Sequence, residues 1–407
     1  MIGEITDEHT KKDVQDAMDL GLDAFALNIN SLESWATGTV ERLFKNADDL
    51  GFKLFFSFDF GVNNFGDPSQ VVDYLKPFLS RPSYYALNGK QLVTTFGGEQ
   101  FDDGKISQFK SDVGGNILFI PGLYNQAPDA NLFSSFPSYD GVFGWNSWPA
   151  QSAGLVETNA STTDDGIWAQ AVSNSPGKLR IAGLSPVNFK HYAGQNWYRR
   201  GEQNLEFRMA ELLSGENAPD MIEIQTWNDA PESHYIGNIW DEPNAGNTEA
   251  QGWYKGFDHT GYQQVIKGFA KAWHSCETDL ASVVPTNGKS VQGAFWHHVL
   301  TVGGDCSADP KGKPEPLPAE DSVSGVVLVA KGSTGLVAVV NNGDKELGKV
   351  TLNEGYNKFK FDNLGAGKVQ LEVWDGSTMV AGGYSNQSVQ TSADICNYNF
   401  QVVGFPE

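Results

Sequence analysis

The chain has 407 residues, 40% of them apolar, and a formal net charge of −22. That length is comfortable for two domains with a sizeable core, and the charge argues against nucleic acid or an anionic membrane surface as partner. No apolar run reaches the roughly 18 residues that a membrane span needs, whereas a neutral polysaccharide is compatible with all of this.

In chain order, Met1–Ile5 reads as a short strand, and Glu8–Leu20 has helical spacing that stops at Gly21. Leu22–Ile29 is an apolar run of strand length, Thr39–Leu50 is helical, and Phe52–Phe60 is a second long apolar run. The alternation continues with a helix over Pro68–Leu79 and strands over Gln91–Phe96, Ile117–Pro121 and Gly141–Trp148. It ends with helices over Asp164–Asn174, Asn204–Leu213 and Gly261–His274 and strands over Lys178–Leu184 and Met221–Trp227. Eight near-continuously apolar strands separated by helix-length segments predict an α/β architecture, a closed (β/α)8 barrel. An open doubly wound sheet is the runner-up, but it usually carries a Gly-rich phosphate turn after its first strand, and none is present.

After His274 the character changes. Lys311–Pro318 is Pro-rich, and from Ser322 onward short β-rich runs alternate with turn signals such as Asn341-Asn342-Gly343. The expected plan is a catalytic barrel over 1–278 and a junction and linker over 279–314, with Gly293–Val302 as a candidate first strand. A smaller all-β sandwich domain follows over 315–407. Of the three cysteines, Cys276 and Cys306 flank the junction and are the pair expected to bridge; Cys396 is left over.

In such a barrel the site gathers at the C-terminal ends of the strands. The polar and aromatic residues there are Asn28, Asn30, Asp59, Glu99, Tyr124, Asn125, Trp145, Asn146, Trp148, Asn188 and His191. The last strand runs into Trp227-Asn228-Asp229-Ala230-Pro231-Glu232-Ser233-His234-Tyr235. This ring lacks a phosphate-binding basic cluster and a His/Cys set with metal spacing, so neither cofactor nor metal is expected. Carboxylates among aromatics suit glycoside hydrolysis, in which one carboxyl protonates the leaving oxygen and the other attacks the sugar or activates water.

Asp229 and Glu232 are the best pair. The same Asp-x-x-Glu spacing is also a helix capping box, but a cap seldom sits among two aromatics and a His. Asp59, Glu99, Trp145, Asn146, Trp148, Trp197, Asn228, His234 and Tyr235 are expected to bind sugar. Asp59 and Glu99 have the alternative of bonding a barrel-top loop, and Trp145 and Trp148 that of plugging the barrel mouth. Arg199, Arg200 and Arg208 are read as ion-pair partners of Glu202 and Glu206.

The stretch PDMIEIQTWNDAPESHYIGNI over 219–239 resembles the signature of glycoside hydrolase family 71, the fungal α-1,3-glucanases or mutanases. DAFALNI (23–29), FKLFFSFDF (52–60), LVTTFGGE (92–99), GVFGWNSWP (141–149) and GFDHT (256–260) resemble the same family in the same order. The match covers the barrel region; the C-terminal part resembles the family's β-domain only loosely. The resemblance implies endo-hydrolysis of α-1,3-glucan with inversion, with the acidic pair on Asp229 and Glu232. Where the family often has Tyr-Gly between these acids, this chain has Ala230-Pro231. The family's opening strand usually has residues before it, so Met1 is read as a truncation point.

Which of the two acids is acid and which is base stays open at this level. The favoured reading makes Asp229 the base, its short arm leaving room for water, and Glu232 the acid, desolvated by Trp227 and Tyr235. A barrel glycosidase for another glucan linkage and a non-catalytic cell-wall carbohydrate-binding protein are the competing readings. A monomer is expected, secreted or in the cell wall. No signal peptide is apparent from Met1, so either the chain starts inside the cell or a signal has been removed. The sequons at Asn159 and Asn386 favour secretion weakly.

Overall fold

The computed structural model describes residues 2–61, 65–215 and 217–405. The first sheet has seven parallel strands, with the short strand Ala86–Leu87 antiparallel beside the third of them: β1 (Ala24–Ile29), β2 (Lys53–Asp59), β3 (Lys90–Phe96), β4 (Ile117–Leu123), β5 (Gly141–Gly144), β6 (Leu179–Leu184) and, after a hairpin described below, β9 (Met221–Ile224). The order is β1-β2-β3-β4-β5-β6-β9, so each strand lies beside its predecessor, as in a (β/α)8-like domain.

Intervening helices cover the outside: α1 (Asp7–Leu20), α2 (Ser34–Leu50), α3 (Asp103–Val113), α4 (Thr162–Ser173), α5 (Asn204–Ser214) and α6 (Gln263–His274). Local signals set their ends. Thr6 caps α1 by accepting from the His9 N–H, and Gly21 ends it at φ +89°, where a residue with a Cβ is strained. The helices bury apolar stripes such as Val40, Leu43, Phe44 and Ala47 of α2 against Phe56 and Phe78.

The expected opening strand does not form. Met1 lies outside the described residues, and Ile2–Ile5 have no strand pairing; the Ile2 N–H donates to Asn28 O at 3.0 Å, beside the end of β1. Among the described residues no strand joins the outer edges of β1 and β9, and a large cavity runs between them.

Beyond α6 the chain is β-structured. One sheet has the order β14 (Gly355–Asp362), β11 (Ser322–Val329), β10 (Val291–His298) and β17 (Phe400–Phe405). The other has β13 (Lys345–Thr351), β12 (Leu336–Asn342), β15 (Val369–Asp375) and β16 (Thr378–Tyr384). Val291, Phe295, Val323 and Val327 of the first sheet share a core with Leu336, Ala338, Val340, Leu371 and Val373 of the second. Side chains alternate along a strand, so Ala294, Trp296, Val326 and Leu328 face the other way and pack on Tyr262, Val265, Ile266 and Phe269 of the α/β part. All eight residues of β10, and all eight of β11, are buried for this reason. At Gly268 of α6 the approach is so close that a Cβ would meet Leu328 Cδ1 at 2.6 Å.

The disulfide expectation is corrected. Cys306 bonds Cys396, with Cα atoms 5.3 Å apart, and Cys276 is free and exposed. Cys276 lies just past α6 at φ +55°. Flanking the junction in sequence did not bring it near Cys306, and the β-structured part folds back to present Cys396 instead.

Candidate active site

The parallel strands end at one rim, and a cavity of about 1010 Å³ runs from that rim along the inside of the sheet, past β1 and β9. Asp59, Trp145, Trp148, Trp197, Asn228, Asp229, Glu232 and His234 all line it. Glu99, Asn146 and Tyr235 do not.

Asp229 and Glu232 sit on a single 3-10 turn, Ala230–Glu232, just beyond β9. Pro231 disfavours an α-helical Ala230, and the turn ends at Ser233 with φ +60°. That left-handed residue brings His234 back toward the carboxylates. The Thr226 hydroxyl accepts the Asp229 N–H at 2.9 Å and donates to His234 O at 3.0 Å, tying both ends of the loop. The capping interaction is present too: Asp229 Oδ1 accepts the Glu232 N–H at 3.2 Å. One oxygen of Asp229 therefore serves the backbone, and Oδ2 faces His234 Nε2 at 3.2 Å.

Glu232 is held by other elements. The hairpin of β7 (Asn188–Lys190) and β8 (Trp197–Arg199) follows β6. Residues two apart on a strand share a face, so Asn188 and Lys190 both reach Glu232. Asn188 Nδ2 donates to Oε2 at 3.2 Å, and Lys190 Nζ to Oε1 at 3.0 Å. His234 Nε2 lies 3.5 Å from Oε2. Of the aromatics expected to desolvate Glu232, Trp227 lines the same cavity and Tyr235 does not. Tyr235 is buried, donates its hydroxyl to Phe257 O at 2.6 Å and stacks on His259; Trp227 packs on Phe25.

The electrostatics separate the two acids. Burial pushes the Asp229 carboxyl up, but the adjacent His234, with help from Lys190, outweighs it and leaves the group below its ordinary value. Asp229 is 5% exposed at its side chain and Glu232 23%, so the second is the more accessible from the cleft.

Aromatic rings complete the walls. Trp148 meets His234 edge-on at 5.0 Å, Trp145 packs on Phe96 at 4.6 Å, and Lys190 Nζ stands 5.0 Å over Trp197, whose Nε1–H donates to Asn188 Oδ1 at 2.5 Å. Asp59 is buried at the end of β2 and accepts the Gly61 N–H at 2.9 Å.

The sequence model of Glycosyl hydrolase family 71 matches residues 1–407. The chain belongs to this family. It is 33% identical over 275 residues to "Glucan endo-1,3-alpha-glucosidase agn1" of Schizosaccharomyces pombe, a match covering 65% of this chain and 61% of that protein. It is 28% identical over 413 residues to "Mutanase Pc12g07500" of Penicillium rubens, covering 99% of this chain and 86% of that one. It is 26% identical over 411 residues to "Ascus wall endo-1,3-alpha-glucanase" of S. pombe, covering 96% and 91%.

Of the other candidates in this family 71 protein, Glu99 takes the loop-bonding alternative, Arg200 meets Glu202 as read, and Arg199 and Arg208 are placed differently. Glu99 accepts the backbone N–H groups of Tyr124 and Asn125, the latter at 2.8 Å, and so holds the loop after β4. Asn146 donates to Tyr124 O at 2.9 Å and accepts from Arg199 at 3.2 Å. Arg199 pairs with neither Glu202 nor Glu206; it lines the cleft, its guanidinium 5.9 Å from the Trp148 ring. Arg200 reaches Glu202 at 3.9 Å and also binds Glu320, and Arg208 pairs with Asp165 and Glu211 rather than Glu206. Sequence reasoning missed Lys190 and misassigned Arg199. The available signal was alternation: each is two residues from a named cleft residue, Asn188 and Trp197.

Proposed function

We propose that the protein cleaves internal α-1,3-glucosidic bonds of α-1,3-glucan, with Asp229 as base and Glu232 as acid. The observation that carries this is the pairing of the two carboxylates at the rim of an aromatic-walled cleft, in a chain matched by the family over its whole length. Three relatives are named for action on 1,3-alpha-glucan or as a mutanase. The depressed Asp229 carboxyl suits a group that must be ionised to accept a proton. Glu232, more exposed and on the longer arm, suits delivery of a proton to the glycosidic oxygen. The half-buried rings of Trp145 and Trp197 offer stacking faces for glucose.

Inversion needs a water between base and anomeric carbon, with the carboxyls about 6.5–9.5 Å apart; retention uses about 5–5.5 Å. Oxygens of the two acids, together with His234, lie within 4.8 Å of one another. An outward swing of Glu232 when sugar enters would widen that nearest approach for the water that inversion needs. Asp229 is fixed by its backbone bond, whereas Glu232 is held by side chains that sugar hydroxyls can replace. Hydrolysis of a panel of α-1,3-, α-1,4- and β-1,3-glucans tests the substrate, with cleavage expected for the first alone. Proton NMR of the first-formed reducing ends tests the outcome: β-anomers mean inversion, and α-anomers mean that the acids work at their closed spacing as a retaining pair.

The same reading makes the α/β part over 1–278 the catalytic domain and the β-structured part, from β10 at Val291 to Phe405, its structural support. The site of action is then the cell wall or the medium, and the working unit a monomer.

A further inference from the structure

The imidazole of His234 is 4% exposed. Its Nε2 lies between two carboxylates, 3.2 Å from Asp229 and 3.5 Å from Glu232, and makes a well-directed hydrogen bond to neither; Nδ1 also has no partner. A buried imidazole with no directed partner on either nitrogen is costly. Its position has a second meaning. Zinc binds His nitrogen and carboxylate oxygen at about 2.0–2.2 Å in tetrahedral sites, which places neighbouring ligand atoms about 3.4 Å apart. The two measured distances match that edge, and the third pair lies within the 4.8 Å that bounds the cluster. Zinc accepts both His nitrogen and carboxylate oxygen, and three protein ligands are the number it takes when a fourth position stays open. All three side chains line the cleft.

We propose that Asp229, Glu232 and His234 form a binding site for Zn2+ whose occupation blocks hydrolysis. The block rests on the reading of Asp229 and Glu232 as the reacting acids. An ion there takes the lone pairs that one acid needs to accept a proton and the other to carry one. The two carboxylates bring two negative charges, and Lys190, 3.0 Å from the far oxygen of Glu232, offsets one of them. Lys190 is thus a built-in competitor of the metal. The site does not serve the reaction, so full activity is expected in the presence of a chelator.

The test is calorimetric titration of the intact protein with ZnCl2 in a non-chelating buffer, which does not depend on activity. One site per chain is expected. His234→Asn should weaken binding by about tenfold or more, since even lost outer-shell partners cost roughly 10–100-fold. Lys190→Met should tighten it several-fold, an outcome that a misfolded variant cannot mimic. No binding, or binding that neither substitution alters, overturns the proposal and leaves the hydrolase reading standing. Zinc bound with both substitution effects, but with hydrolysis unchanged at saturation, keeps the metal site and refutes the assignment of the acids.

Discussion

At the scale of single residues, the site separates groups that touch sugar from groups that hold those groups. Asp229→Asn and Glu232→Gln are each expected to lower kcat by about 10²–10⁴-fold with the fold intact, the typical cost of removing a general acid or base. Circular dichroism with turnover on α-1,3-glucan checks this; near wild-type turnover in both variants would leave Asp229 as a cap and nothing more. The acid pair was legible in the sequence because Asp-x-x-Glu stood among aromatics after an apolar strand. The capping box was legible too, and both readings describe the same carboxylate, one oxygen for each. Tyr235 was not legible as a core residue. It follows a cleft residue directly, but the positive φ of Ser233 and the turn around it change the direction of the chain. Residue-by-residue placement then depends on dihedral angles that a sequence does not display.

At the scale of elements, two features make separate claims. Glu223 of β9 points into the cavity, and burial pushes its carboxyl up to about 7 from an ordinary 4.5. A carboxyl that stays neutral in the folded state while it ionises in the unfolded chain lowers stability as pH rises. The loss begins near 4.5 and is complete near 7. Glu223→Gln should therefore leave stability at pH 4 unchanged and raise it at pH 8, by at most about 3 kcal/mol. Thermal melts of both proteins across this range check the sign; equal curves at pH 8 would exclude a neutral carboxyl at this position.

The second feature is the β7–β8 hairpin, which the sequence reading passed over as the end of a strand. Its turn is clamped: His191 bonds Asp309 at 2.7 Å and Asn196 at 2.8 Å, and Asp309 accepts the Cys396 N–H at 2.9 Å. The Cys306–Cys396 bond therefore stands behind the strand that presents Lys190 to Glu232. Asp309→Asn should lower kcat by about 2- to 30-fold, the range of coupling carried through such networks, and KM much less. A kcat equal to wild type would mean that the clamp serves stability alone. Three-residue strands fall below what periodicity detects, which is why this hairpin stayed hidden.

At the scale of the whole molecule, the α/β and β-structured parts share one apolar surface. Trp296 Nε1–H donates to Glu202 O at 3.0 Å, the Tyr356 hydroxyl donates to Glu206 O at 3.0 Å, and β10 and β11 lie on α6. A chain ended at residue 278 would expose Val265, Ile266 and Phe269 and is expected in the insoluble fraction. Recovery of a soluble, active fragment would show that the first part folds alone. The class of each part was legible, since eight apolar runs and then many short ones differ at a glance. Their interdependence was not. A strand buried on both faces and a strand buried on one differ by which residues meet a neighbour, and β10 reads as either.

The unjoined edges of β1 and β9 also have a kinetic meaning. Backbone amides deep in a sheet exchange with solvent deuterium only when a large unit opens, whereas those at a free edge exchange through small local fluctuations. The inner strands β3 and β4 pair on both sides, and β9 pairs with β6 alone. Deuterium should therefore appear in 221–224 well before 117–123, although both segments belong to one sheet. Since β9 leads directly into the turn that carries Asp229 and Glu232, the acids are mounted on an edge of the sheet rather than on its middle.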